Sequence, residues 1–312
     1  VGTYVVPDQN PAIRSGCDQA PSAACLGPRR PPPVRRLSRV QEYRPWAWVL
    51  GMAHLHYESV TAGPENDAVE FAAVLEPTPL ERQQLAISDS ARHTFWHWVR
   101  FDVVARVVTR AGVDTVVDIG AGSGMLGDWL RERHPSIGYR FQELSPTLDA
   151  ALADQFGAAS RHSPDAPIRG AVVTMLDVIE HIEDSGSFLH TVLDRMEPGG
   201  SLVVTVPALQ WAFSSWDTEL GHHRRYSKKS LRTELTAAGF VVDEVGYLFP
   251  EMLPLLPIRK LRRAQRESAE FPELSPWLNR VGYLISSTTA RLRRVWPGGT
   301  SAVAVAHRPE DR

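Results

Sequence analysis

The sequence predicts a doubly wound α/β fold, a mostly parallel sheet with helices packed on both faces. Three observations carry that expectation. A β-branched run ends in the turn T-V-V-D-I-G-A-G-S-G at 115–124, and strand-like and helix-like stretches alternate from there onward. A carboxylate, Glu143, then closes the second strand, about twenty residues past the turn. Alternation of this kind is the mark of successive strand–helix–strand units on one parallel sheet.

Residues 1–50 are rich in Pro, Gly and Arg, with Pro31, Pro32 and Pro33 consecutive and Arg29, Arg30, Arg35 and Arg36 around them. Such composition buries too little apolar surface to offset the entropy of ordering, so a disordered basic tail is expected. It is either a partner-binding segment or idle. Met52 stands where globular character starts and is read as the true translation start. Residues 51–112 form an N-terminal helical region. Its pattern is helical from Pro79 to Ala111, with Ser88 or Asp89 as a cap, Phe95, Trp98, Val103, Val104, Val107 and Val108 at helical spacing, and Gly112 as the stop. The cluster His93, Phe95, Trp96, His97 and Trp98 has two readings: a helix packed on the sheet, or an aromatic wall in which Trp96 contacts a substrate.

The turn at 115–124 leads into a helix marked by Met125, Leu126, Trp129 and Leu130. Gly120, Gly122 and Gly124 let the chain turn sharply and let a ligand approach the backbone. The N–H groups at the helix start favour a carboxylate or phosphate. Further strands are expected at 137–143, at 158–161 where the pattern is weak, at 171–176, at 201–206 after the turn Pro198-Gly199-Gly200, and at 240–248 and 301–306. Glu143 at a strand tip suits the paired hydroxyls of a ribose. Asp165 is a candidate for an adenine amine. Residues 249–297 begin apolar and turn basic at Arg259, Lys260, Arg262, Arg263 and Arg266. Two readings stay open there: a helical lid, or a peripheral membrane contact through 249–266.

Composition bounds the function. The chain has 312 residues, 43% hydrophobic and 22% charged, with 34 basic against 36 acidic residues. A near-neutral chain has no global field to recruit nucleic acid, so none is expected as a partner. The only cysteines, Cys17 and Cys25, lie in the tail and form no zinc spacing. No apolar run approaches a membrane span and no signal-peptide core is present, so a cytoplasmic protein, with membrane association limited to the surface contact above, is expected.

A dinucleotide fingerprint, G-x-G-x-x-G, would place its third glycine at Met125. The pattern here is instead G-x-G-x-G, with Asp118 two residues before the first glycine. Downstream, L-D-V-I-E-H at 176–181 and R-M-E-P-G-G-S-L-V-V-T-V-P at 195–207 follow. Together these motifs resemble class I S-adenosylmethionine-dependent methyltransferases over about a hundred residues. W-D-T-E-L-G-H-H-R-R-Y-S-K-K-S-L at 216–231, H-T-F-W at 93–96, L-N-R at 278–280 and the closing P-x-G-T-S at 297–301 are similar to a subgroup often encoded with glycan or lipid-linked sugar genes.

The resemblance implies a seven-stranded, mostly parallel, Rossmann-like sheet with helical additions over 113–312, its last strand inserted antiparallel. It implies S-adenosyl-L-methionine as cofactor, bound by Asp118, Gly120, Ala121, Gly122, Gly124, Glu143, Leu144 and Asp177. It also implies methyl transfer to a small-molecule or lipid-linked acceptor, at oxygen. His181, His222 and His223 are the candidate bases, and Arg224, Arg225 and Tyr226 the candidate substrate grips, with Arg224 or Arg225 alternatively pairing with Asp217 or Glu219. The acidic set Glu180, Glu183 and Asp184 is explained by a helix dipole, and no metal is expected. A nicotinamide oxidoreductase and a non-catalytic cofactor-binding module are the rival readings. Oligomeric state is not legible.

Overall fold

The computed structural model describes residues 78–87, 92–256 and 274–311. The basic tail, the Met52 start, the Ser88 or Asp89 cap and the Arg259–Arg266 cluster lie outside the described residues. The helical stretch expected from Pro79 to Ala111 is interrupted. Helix α1, Pro79–Leu85, opens on a capping box between Thr78 and Glu81 and stops at Ala86. Helix α2, Phe95–Ala111, buries one apolar face and ends at Gly112 in the left-handed conformation, φ 68°.

The sheet has strands β1 Thr115–Ile119, β2 Gly138–Gln142, β3 Ala171–Leu176, β4 Ser201–Pro207, β5 Val241–Leu248 and β6 Ser301–His307, in the order β2-β1-β3-β4-β6-β5. Strands β1 to β4 pair in parallel, and β6 runs antiparallel between β4 and β5. The connecting helices are α3 Met125–Arg133, α4 Pro146–Phe156, α5 Ser185–Arg195, α6 Ser215–Glu219 and α7 Lys228–Ala237; α8 is Pro276–Arg291.

Strands of the centre are apolar on both sides, as a sheet covered by helices requires. Alternate residues feed opposite cores. Val117, Val173 and Met175 join Phe188 and Leu189 of α5 and Leu231 and Leu235 of α7 on one face. Val116 and Val172 join Val99 and Val103 of α2 and Leu126 and Leu130 of α3 on the other.

Among the described residues six strands pair where seven were expected. The weak stretch at 158–161 is a 3-10 turn, Ala158–Ser160, and only Arg161 bridges to Phe141 on the outer edge of β2. Gly157 takes φ 86°, and the short A-A-S stretch that follows buries nothing. Ala158 and Ala159 are small and exposed, and one bridge forms instead of a strand.

The described part of the expected lid at 249–297 is a 3-10 turn, Pro250–Leu255, and α8, which packs along α2. Asn279 joins the two helices: its Oδ1 accepts from the Phe95 amide at 2.7 Å and its Nδ2 donates to the His93 carbonyl at 2.7 Å. One amide side chain thus caps the start of α2 from another helix, which ties the H-T-F-W and L-N-R motifs together. Gly282 permits the close approach, since a Cβ there would lie 2.7 Å from the Phe95 ring. In the closing motif, a Cβ on Gly299 would lie 2.2 Å from the Leu248 carbonyl oxygen, so the turn into β6 has room only for glycine.

Asn279→Ala is expected to cost about 1–2 kcal/mol, the usual loss of a helix cap, with Asn279→Asp falling between. Chemical denaturation of both variants measures it; a wild-type midpoint for Asn279→Ala would refute the cap.

Candidate active site

The turn from β1 to α3 places Gly120, Gly122 and Gly124 at φ 72°, 56° and 72°. That region strains any residue with a Cβ, yet the three glycines also face different neighbours. A Cβ on Gly120 would lie 2.8 Å from Val178, and one on Gly124 2.6 Å from Phe156. Both are close-packed. Gly122 instead looks toward Gln84 of α1, whose Oε1 would stand 3.1 Å from an added Cβ, so α1 covers the turn. Glu81 holds α1 there by accepting from the Ser145 hydroxyl at the start of α4.

Glu143 reaches back to this turn. Its Oε2 accepts from the Gly122 amide at 2.8 Å, and its Oε1 accepts from the amides of Leu144 and Ser145 at 2.8 and 3.0 Å. Burial raises its pKa, against the lowering effect of these three bonds. Leu144 beside it is 40% exposed, an apolar surface open to a flat ring. Ala121 lies between the first two glycines, half-buried. Asp165 is exposed, in the turn after Arg161.

Asp118 has a different place from the one the resemblance implied. It is buried inside β1, with Oδ1 accepting from Thr174 at 2.7 Å and Oδ2 from the Tyr139 hydroxyl at 3.1 Å. Burial pushes its carboxyl up to about 7, against the effect of those two bonds. It braces β1 to its neighbours from within.

At the end of β3, Asp177 adopts φ 58°, a conformation Asp tolerates better than most residues. Its Oδ2 pairs with Arg100 of α2 at 3.1 Å, and its Oδ1 accepts from Thr205 at 3.2 Å. Arg100 also donates to Ser301 at 3.1 Å. Sequence reasoning missed Arg100, which the sequence does not set apart from Arg106 and Arg110 of the same helix. Nothing in the sequence pointed to Gln84.

The G-H-H-R-R-Y loop packs onto the turn after β3. The His223 amide donates to the Glu180 carbonyl at 2.8 Å, and His223 itself is exposed. His222 meets His181 edge to face at 4.6 Å and uses Nδ1 on Asp217 Oδ1 at 2.9 Å. Burial, then the neighbouring His222, lowers His181 to about 4. Glu180 is fully buried, and neither carboxyl oxygen has a hydrogen-bond partner. Burial, then Asp177, pushes it well above the ordinary carboxylate range. Glu180 thus groups with His181 and His222 rather than with Glu183 and Asp184; Asp184 caps α5 instead.

Of the two readings for the candidate substrate grips, the contacts observed are those that fold the loop. Arg225 is taken by Asp217, Nε to Oδ1 at 2.7 Å and Nη2 to Oδ2 at 3.0 Å. Arg224 donates to Ser185 and to the carbonyls of Ile182 and Glu183. Tyr226 is buried, its hydroxyl 3.3 Å from Glu234. All three fasten the loop. Trp96 is half-buried and packs against the α2 side core and the Phe95 and His97 rings, as the packed-helix reading expects.

Two carboxylates impose opposite pH trends. Asp118 holds its proton up to about 7 when folded and to about 3.9 when unfolded, so its contribution to stability falls as pH rises through that window. Asp217 meets burial that would raise it, but the bonds from His222 and Arg225 hold it well below its usual range. Its contribution is present above about 4 and is lost as pH falls below that. In urea unfolding across pH, Asp118→Asn is expected to flatten the decline between about 4 and 7; an unchanged slope would refute the assignment.

Residues 95–245 match the family model Methyltransf_23, described as a methyltransferase domain. The chain is 26% identical over 102 residues to the mitochondrial ubiquinone biosynthesis O-methyltransferase of Schizosaccharomyces pombe, covering 29% of this chain and 36% of that protein. It therefore spans little more than a third of the length of that curated relative. Among solved structures, a complex of the Haloferax volcanii Trm112 methyltransferase activator with a methyltransferase aligns at TM-score 0.47 and 18% identity, over 74% of this chain and 95% of that one. The phosphoethanolamine N-methyltransferase 2 of Haemonchus contortus, in complex with S-adenosyl-L-methionine, aligns at TM-score 0.44 and 15% identity, over 75% and 61%.

Proposed function

We infer that the chain, which carries a methyltransferase domain over residues 95–245 on a Rossmann-like fold, transfers a methyl group from S-adenosylmethionine to a hydroxyl oxygen of a small acceptor. The observation that carries this is the contact between Glu143 and the Gly122 amide. It sets a carboxylate and a helix N-terminus against each other at adjoining strand tips. A carboxylate there suits ribose hydroxyls, and the amides of the turn suit the cofactor's own carboxylate. Three of the roughly four acceptor positions of Glu143 are already used on backbone, so its direction is set before a ligand arrives. Leu144 supplies the apolar surface for the adenine.

Transfer from a sulfonium is an in-line displacement. The protein has to align the methyl carbon and acceptor oxygen at about 3 Å and keep water out, and orientation of this kind lowers the barrier by several kcal/mol. A hydroxyl must also lose its proton. Glu180, His181 and His222 group together, and the charge of Asp177 acts on Glu180 and His181.

Met125, where a dinucleotide fingerprint needs glycine, packs against the α2–α3 core, which disfavours the nicotinamide reading. Helix α8 exposes Trp277, Leu278, Val281, Leu284 and Ile285 along one stripe. No helix among the described residues is long and apolar enough to cross a membrane.

Calorimetric titration with S-adenosylhomocysteine tests the cofactor site. Gly122→Val is expected to abolish binding, and Glu143→Ala to weaken it by about 1–3 kcal/mol. Undiminished affinity in both, or tight NAD binding by the wild type, would overturn the reading.

A further inference from the structure

We propose that Glu180, His181 and His222 bind one divalent transition-metal ion at the acceptor end of the cleft. Each residue offers one ligand atom, and these atoms lie within 4.8 Å of one another. Ligands held about 2.0–2.2 Å from an ion sit roughly 3–4 Å apart, so small side-chain rotations close the set.

Glu180 supplies an independent argument. Its side chain is completely buried with both oxygens unpartnered, and a buried carboxyl without partners is strongly disfavoured. The two nearby cations are committed elsewhere: Arg100 to Asp177 and Ser301, and Arg225 to Asp217 and the Ala208 carbonyl. A further cation is what this pocket lacks.

The histidines are set up to receive one. His222 has its Nδ1 on the buried Asp217, which is itself held by Arg225 and the Ser214 amide. That leaves Nε2 to offer a lone pair. His181 is hydrogen-bonded to the Leu220 backbone. An imidazole whose second nitrogen is fixed by a carboxylate or carbonyl is the usual outer support of a metal ligand. Two imidazoles with one carboxylate suit zinc, iron, manganese or cobalt better than magnesium or calcium, which prefer oxygen donors. Three protein ligands leave positions open for an incoming oxygen.

This rests on the methyl-transfer reading for its chemistry. A hydroxyl bound to the ion gives up its proton to solvent more readily. The oxygen lone pair then forms the bond to the methyl carbon while the carbon–sulfur pair returns to sulfur and neutralises the sulfonium.

The test uses tag-free full-length protein stripped with chelator. It is titrated with Co²⁺ by visible absorption and with Zn²⁺ by calorimetry, and S-adenosylhomocysteine affinity is measured separately. One equivalent of Co²⁺, displaced by Zn²⁺, is expected. Glu180→Gln and His222→Ala should each weaken Zn²⁺ binding at least tenfold while S-adenosylhomocysteine affinity stays within twofold. Absence of stoichiometric binding by the wild type, or equal Zn²⁺ affinity in both variants, would overturn the site. Loss of S-adenosylhomocysteine binding by the wild type would instead sink the methyl-transfer reading, whatever the metal titration shows.

Discussion

The Glu143 carboxylate and the Gly122 amide meet at 2.8 Å across the tips of β1 and β2, and the cofactor site we propose depends on that contact. Parallel pairing brings the two strand ends side by side, with Ile119 opposite Gln142. A carboxylate one residue past that register falls beside the glycine turn without any special loop. Because the glycines occupy left-handed conformations and two are packed against side chains, the turn has little freedom to relax. The proposed recognition surface would therefore be rigid backbone oriented by a half-buried carboxylate, which is how a site avoids the entropic cost of ordering itself on binding.

A second ionic arrangement organises the other end. Asp217, fully buried, collects Arg225, His222 and the Ser214 amide, and so turns a polar loop into a fixed wall. Arg100 reaches from α2 to Asp177 and Ser301 and joins the helix layer to the ends of β3 and β6. Buried ion pairs of this kind contribute little net stability against desolvation but are costly to break. Their value here is geometric: they hold His181 and His222 edge to face beside the unpartnered Glu180.

The scaffold, the glycine turn and the carboxylate at the second strand tip were legible in the sequence because each follows from local rules. Alternating β-branched residues make strands, glycines mark positive φ, and strand–helix alternation makes a parallel sheet. The weak third strand, at 158–161, failed for the reason its pattern was weak, since its two alanines are too small to bury much surface and stay exposed. The motifs at 93–96 and 278–280 could be recognised but not explained until Asn279 was seen to span both, a contact across nearly the whole domain.

Sequence by itself determined which elements form and which residue types stand at the ends of the strands, because those depend on neighbours one to four positions away. Tertiary structure alone decided what the polar side chains do there. Arg224 and Arg225 were equally suited to grip a substrate or to fold the loop, and the choice fell to packing, which placed Asp217 and the carbonyls of Ile182 and Glu183 within their reach. Glu180 and Glu183 look alike in sequence, yet burial without a partner sets Glu180 apart, since solvation is a property of the folded surroundings and not of the residue.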